Sequence, residues 1–164
     1  MCSSDLESET YGYIGFSMGG RTGLELAAST PKRLSMLAIG GMHLLPPTAN
    51  ADRFIRHTKI LRSGRAKSVE KPDGDRPGND PLALAASHEA LLWWKGVDGR
   101  LDSLNAPTLL FCGEEDAHFP NAEESSRHYG FEFAGLPNTD HNSTFFSSEI
   151  AVNSVTNFVA KHLK

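Results

Sequence analysis

At 164 residues the chain has room for one domain of the usual roughly 100 to 200 residues. Hydrophobic and charged shares of 39% and 22% are ordinary for a globular protein, and a net charge of -4 without a polybasic run gives no electrostatic basis for binding nucleic acid or an anionic membrane. The longest apolar runs, "LSMLAIGGMHLL" and "LALAASHEALLWW", fall short of the ~20 residues of a spanning helix, and no basic segment followed by an apolar stretch opens the chain. The expectation is a soluble, unexported, cytoplasmic protein, and the only cysteines, Cys2 and Cys112, suggest a reducing compartment rather than a disulfide framework.

In chain order, "TYGYIG" is a short aromatic-rich strand and "SMGGRTGLELAAST" the helix after it, closed at Thr30-Pro31 because proline disfavours helix in the preceding residue. "LSMLAIGG" is an apolar run bounded by glycines, suited to a strand buried on both faces of a parallel sheet. The segment that follows breaks this rhythm with a helical "DRFIRHTKILRS", a polar linker from Gly64 to Asn79, and "DPLALAASHEALLWWK", where Asp80 can cap and Pro81 suits the first helical position. "PTLLFCG" and "FEFAGLP" supply two further strands. The closing "SSEIAVNSVTNFVAKHLK" places Val152, Val155, Val159 and Leu163 at helical spacing, with Lys161 and Lys164 toward the negative end of the dipole. Strands alternating with helices argue for a parallel α/β sheet, interrupted by a helical insertion that is either a lid over a site or a lateral decoration.

Gly15-Phe16-Ser17-Met18-Gly19 matches G-x-S-x-G, a spacing that sets a serine on a strained turn between strand and helix, with small flanking residues so that the two can approach. Backbone N–H groups at the helix start then face any negative charge that develops nearby. The plainer alternative is a glycine-rich turn that happens to hold a serine. A hydroxyl at its ordinary pKa is a poor nucleophile and needs a base and a group to orient the base. "EEDAH" after the third strand and "NTDHNSTF" after the fourth offer Asp116 and His141, in the chain order Ser, Asp, His.

By "GFSMGG", "PTLLFCGEED" and "LPNTDH" the chain resembles the C-terminal part of an α/β-hydrolase of the serine esterase and lactonase type, from about Tyr11 to the end. The resemblance implies a partial α/β-hydrolase sheet of about four parallel strands with flanking helices, built from residues 11–46 and 106–164, with a helical lid at 47–105. It implies hydrolysis of a small-molecule ester or lactone by Ser17, His141 and Asp116, with the Met18 N–H as one oxyanion donor and no cofactor. Phe16, His43, Trp93 and Trp94 are expected to bind substrate, although the tryptophans could equally seal the lid helix, and a carbon-carbon bond hydrolase would use the same three residues. Glu114 and Glu115 compete with Asp116 for the acid and His118 with His141 for the base, Asp140 reads as a turn residue, and "EEDAH" has a weaker reading as metal ligands. His57, His88 and His128 read as surface or packing residues.

The same resemblance places four strands and the second oxyanion donor before the nucleophile strand, and ten residues cannot supply them. "CSSDL" also resembles a translated sequencing-library adapter, so residues 1–10 are expected to be a non-native or disordered leader. The missing N-terminal half of the fold becomes the expected partner of this chain. Without it, "TYGYIG" is a sheet edge and turnover is expected to be impaired, which leaves a catalytically silent homologue as the alternative to an enzyme.

Overall fold

A computed structural model describes residues 9–46, 51–64, 80–146 and 148–163. The expected leader, apart from Glu9 and Thr10, most of the Gly64–Asn79 linker, and Lys164 lie outside the described residues. The chain forms two compact units, one within Met1–Leu45 and Val97–Lys164, the other within Pro46–Gly96.

The first unit is a four-stranded sheet in the order β1 (Tyr11–Phe16), β2 (Leu34–Gly40), β3 (Thr108–Gly113), β4 (Glu132–Leu136). All its pairings are parallel, and spatial order equals chain order. The register therefore sorts side chains onto two faces, since partners in a parallel ladder point the same way. Tyr13, Ile39, Leu110 and Phe133 fall on one face and Ala38, Leu109 and Glu132 on the other.

On the first face lies α1 (Met18–Ser29), which turns Gly20, Gly23, Leu24 and Ala27 inward. A Cβ on Gly23 would lie 2.5 Å from the Tyr13 ring, so only glycine permits this approach of helix to sheet. α4 (Phe119–Tyr129) covers the same face at the other side of the sheet, with Phe119 against Gly135 and Phe133. The apolar pattern of the sequence predicts no helix here. Its ends are nonetheless marked, by Pro120 in the first turn and by Gly130 at φ 69°, a left-handed C-cap.

The opposite face holds a core of Met36, Ala38, Leu109, Phe111 and Leu136 under Ala151 and Phe158 of α6 (Glu149–His162). Burying a side chain the size of Phe158 stabilises by about 1.5–3 kcal/mol. The stripe expected along this helix is rotated by one residue: Val155 and Val159 do pack on the core, but Val152 and Leu163 are exposed and Ala151 and Phe158 take the inward positions. Counting valines missed this because Phe158 and Ala151 share the i, i+4, i+7 row with Val155. Ser148 caps α6 by accepting the Ala151 N–H, and Lys161 pairs with Glu132 at 2.9 Å besides standing in the last turn.

Among the described residues β1 pairs only with β2, and Ile14, on the α6 side of the sheet, is 56% exposed. Strands of a doubly covered parallel sheet are ordinarily buried on both faces. β2 and β3 follow that pattern apart from Ser35, whereas β1 alternates half-buried and exposed residues over Tyr11–Ile14.

The chain leaves the first unit after Leu45 and returns at Val97, whose N–H donates to the Leu44 carbonyl at 2.8 Å. The second unit pairs α2 (Ala51–Arg62) with α3 (Pro81–Trp93) through a bidentate Arg62–Glu89 contact at 2.7 and 2.6 Å. Asp80 caps α3 by accepting the Leu82 N–H, and Pro81 occupies the first turn. Among the described residues no helix is long and apolar enough to cross a membrane.

Candidate active site

Ser17, Asp116 and His141 all sit just beyond the carboxyl ends of strands, β1, β3 and β4 respectively, the edge at which open parallel sheets gather their functional groups. Ser17 joins β1 to α1 with φ 53° and ψ -113°, a conformation that a residue with a Cβ adopts only under strain. Its N–H donates to Gly40 and its carbonyl accepts the Arg21 N–H, which pins the turn from both sides. A serine before a helix normally turns its hydroxyl back to cap the first N–H groups. Ser17 makes no such cap, and its Oγ lies 2.9 Å from His141 Nε2.

The flanking glycines are not equivalent. A Cβ on Gly15 would lie 2.6 Å from the Gly19 carbonyl, backbone that has no room to move, whereas a Cβ on Gly19 would meet nothing nearer than the Tyr13 hydroxyl at 4.0 Å. The requirement for a small residue falls on the first glycine of the motif. Tyr13, a strand residue by pattern, donates its hydroxyl to the Gly19 carbonyl at 2.8 Å and so ties strand to helix around the turn.

His141 opens the short helix α5 (His141–Phe146). Asp140, expected as a turn residue, caps that helix instead: its Oδ1 accepts the Ser143 N–H at 2.7 Å, and its own N–H donates to Ser143 Oγ at 2.8 Å. The imidazole packs against Phe16 with ring centroids 4.9 Å apart and the rings tilted by 48°, and Phe16 is itself held by Phe111 and Phe145. Phe16 thus supports the His141 ring from beneath, a contact that strand alternation alone did not indicate.

His141 Nδ1 lies 2.7 Å from Asp116 Oδ2, and Asp116 Oδ1 accepts the His118 N–H at 3.0 Å. Asp116 is buried, while Glu114 and Glu115 are exposed and give their backbone N–H groups to Leu136 and Thr139. Burial on its own would raise the Asp116 pKa, but the hydrogen bonds from His141 and the His118 N–H, with the nearby imidazoles, hold the carboxyl below its usual range. Cys112 beneath it is fully buried, and burial followed by the Asp116 charge pushes its thiol pKa up, so the thiol stays protonated beside the carboxylate.

His118 and His43 stand at the same rim in a row with His141, ring centroids 5.1 Å apart for His43 and His118 and 5.7 Å for His118 and His141. His43 is buried, its Nδ1 accepts the Leu45 N–H, and burial with the neighbouring His118 lowers its pKa to about 4. It is therefore neutral at ordinary pH, with its proton on Nε2. Met18, first in α1, is 60% exposed. Trp93 and Trp94 end α3 in the other unit, the first 77% exposed and the second half-buried. His57 and His128 are exposed, and the His88 ring packs against His57 with centroids 5.0 Å apart.

No protein-family model matches the sequence, and no curated protein sequence does. Among solved structures, the chain superposes on a carboxylesterase of the thaumarchaeon Nitrososphaera gargenis with TM-score 0.78 and 14% identity, over 94% of this chain and 66% of that one. It superposes likewise on the enol-lactonase of Burkholderia xenovorans LB400, with TM-score 0.66, 19% identity and coverage of 93% and 66%. An alpha/beta hydrolase from a Medee basin deep-sea metagenome library gives TM-score 0.74, 14% identity and coverage of 93% and 66%. The chain therefore has the α/β-hydrolase fold, over about two thirds of the length of the solved structures it matches.

Proposed function

We propose that this chain is the nucleophile-bearing C-terminal part of a serine hydrolase that cleaves carboxylic ester or lactone bonds of small molecules. One observation carries the reading: a strained, uncapped serine hydroxyl lies 2.9 Å from an imidazole whose other nitrogen is 2.7 Å from a buried carboxylate. A serine in a strained turn that forgoes its cap has no purely structural rationale. The carboxylesterase and enol-lactonase among the matched folds support esters and lactones as the bond class.

In this mechanism His141 Nε2 takes the Ser17 proton as Oγ attacks the acyl carbonyl. Asp116 remains a carboxylate, keeps the proton of neutral His141 on Nδ1 and stabilises the imidazolium that forms. The tetrahedral oxyanion is held by the Met18 N–H at the positive end of α1. Collapse expels the alkoxide, which takes the proton from His141, and leaves Ser17 acylated. Water then repeats the sequence, giving up a proton to His141 and releasing the acid. Phe16 packs against the imidazole throughout and limits its movement.

The rest of the sheet is the partner this chain needs. The open side of β1, the exposed Ile14 and the 66% coverage of the matched folds all support a preceding segment that pairs with β1 and supplies a second oxyanion donor. Without that donor, turnover by the 164-residue chain alone is lower by the ~10²- to 10³-fold that one oxyanion donor is worth.

The test is hydrolysis of a short-chain aryl ester by the protein with its sheet completed. Ser17→Ala and His141→Ala should each abolish nearly all turnover, and the double variant should cost little more, because the groups act as a unit. Asp116→Asn should be severe and Glu115→Gln mild. The reverse order for the two acids would reassign the acid.

A further inference from the structure

His118 takes no part in the serine relay yet stands beside it. Its backbone N–H is committed to Asp116 Oδ1, but among the described residues its ring nitrogens have no hydrogen-bond partner, only ring contacts with His43 and His141. One ligand atom each from Asp116, His118 and His141 lies within 4.8 Å of the others. Two imidazoles and a carboxylate form a donor set that Zn²⁺ takes at about 2.0–2.2 Å, which in a tetrahedral site puts donors about 3.3 Å apart. Small side-chain rotations close that gap.

We propose that Asp116, His118 and His141 form a transition-metal site, selective for Zn²⁺ over Mg²⁺ and Ca²⁺, whose occupancy shuts the serine relay. Imidazole donors set the selectivity, since Mg²⁺ and Ca²⁺ are held by oxygen. His43 does not join the set. Its Nδ1 lone pair is engaged by the Leu45 N–H and its Nε2 carries the proton, so it walls the site without binding.

The shutdown follows from the two nitrogens of one ring. Neutral His141 has one N–H and one lone pair. An ion on Nε2 occupies the lone pair that would take the Ser17 proton. An ion on Nδ1 displaces the proton to Nε2, which then donates and can no longer accept. Either way one His141 hydrogen bond, to Ser17 or to Asp116, gives way to the ion but no covalent bond is broken, and a chelator reverses the effect. The site stands on its geometry, whereas the shutdown rests on the proposed serine chemistry.

Zn²⁺ binding is measured by competition with a chromophoric chelator, together with thermal melting with and without the ion, for wild type, His118→Phe and His141→Ala. The phenylalanine keeps both the backbone N–H on Asp116 and an aromatic ring against His43. Wild type should bind one ion at this site, and both variants should bind at least roughly 10- to 100-fold more weakly, a loss that even outer partners of a metal site can cause. Zn²⁺ should raise the melting temperature of wild type alone, and Mg²⁺ should not. Zn²⁺ should also block fluorophosphonate labelling of Ser17 in wild type, with recovery on adding EDTA, and should spare labelling in His118→Phe. Unchanged Zn²⁺ affinity in both variants overturns the site. Weakened affinity in the variants with wild-type labelling indifferent to Zn²⁺ overturns the shutdown. A metal-free wild type that does not label refutes the serine chemistry and the shutdown with it, while the chelator competition still decides the site.

Discussion

The strain at Ser17 has a consequence for stability that is separate from chemistry. At φ 53° and ψ -113° a residue with a Cβ stores roughly 1–3 kcal/mol, whereas glycine occupies this region freely. Ser17→Gly and Ser17→Ala both lose the hydroxyl and its contact with His141, so their difference isolates the backbone. Glycine also gives back about 0.5–1 kcal/mol through the greater freedom of its unfolded chain. The net expectation is a glycine variant about 1 kcal/mol more stable than the alanine variant, or about 2–4 °C in Tm for a chain of this size. Thermal and urea unfolding of the pair, in the protein with its sheet completed, measure this directly. An alanine variant as stable as the glycine variant, or more so, would refute the strain argument and leave the turn an ordinary βα connection.

Three further expectations concern the surroundings of the site. His43 has its pKa lowered from 6.5 to about 4 by burial, so the unfolded chain binds a proton that the folded chain refuses. Its contribution to stability is complete above pH 6.5 and falls by about 3 kcal/mol as pH drops to 4, and His43→Gln should remove that part of the slope in urea unfolding run across this range. Matching slopes for variant and wild type would contradict it. Gly15→Ala should cost about 1–3 kcal/mol through its clash with the Gly19 carbonyl, while Gly19→Ala, with nothing nearer than 4.0 Å, should be neutral or stabilising; equal effects at the two positions would be evidence against the asymmetry. The 164-residue chain alone should self-associate through β1, and Ile14→Lys should reduce that association in sedimentation experiments. Association that Ile14→Lys leaves unchanged would point to another surface.

Much of this arrangement was legible because it is written in local patterns. Apolar runs bounded by glycine gave all four strands to within a residue or two, and Asp80-Pro81 marked the start of α3. The helices that escaped notice are short and polar. α4 reads "FPNAEESSRHY" and buries only Ala122, Ser125 and Ser126, small residues that carry little hydrophobic signal, and α5 is six residues long. For the site, the order of Ser17, Asp116 and His141 after β1, β3 and β4 was visible, and the resemblance favoured Asp116, but that Asp116 is buried while Glu114 and Glu115 are exposed was not. Phe16 under the imidazole, the Tyr13 strap across the turn, and the row of His43, His118 and His141 are products of register. The strap closes the turn between β1 and α1, whereas the others join residues at the ends of different strands, and a single sequence carries no record of which strands adjoin.

The central claim is that the Ser17 hydroxyl is activated by His141 and Asp116 across the 2.9 and 2.7 Å contacts. The most direct measurement is reaction of the protein, with its sheet completed, with a fluorophosphonate probe, followed by mapping of the modified residue by peptide mass spectrometry. The account predicts a single adduct on Ser17, absent in Ser17→Ala and slowed at least about 100-fold in His141→Ala, the lower range for a positioned base. A folded protein that stays unlabelled, or that labels at Ser17 equally fast without His141, would contradict it.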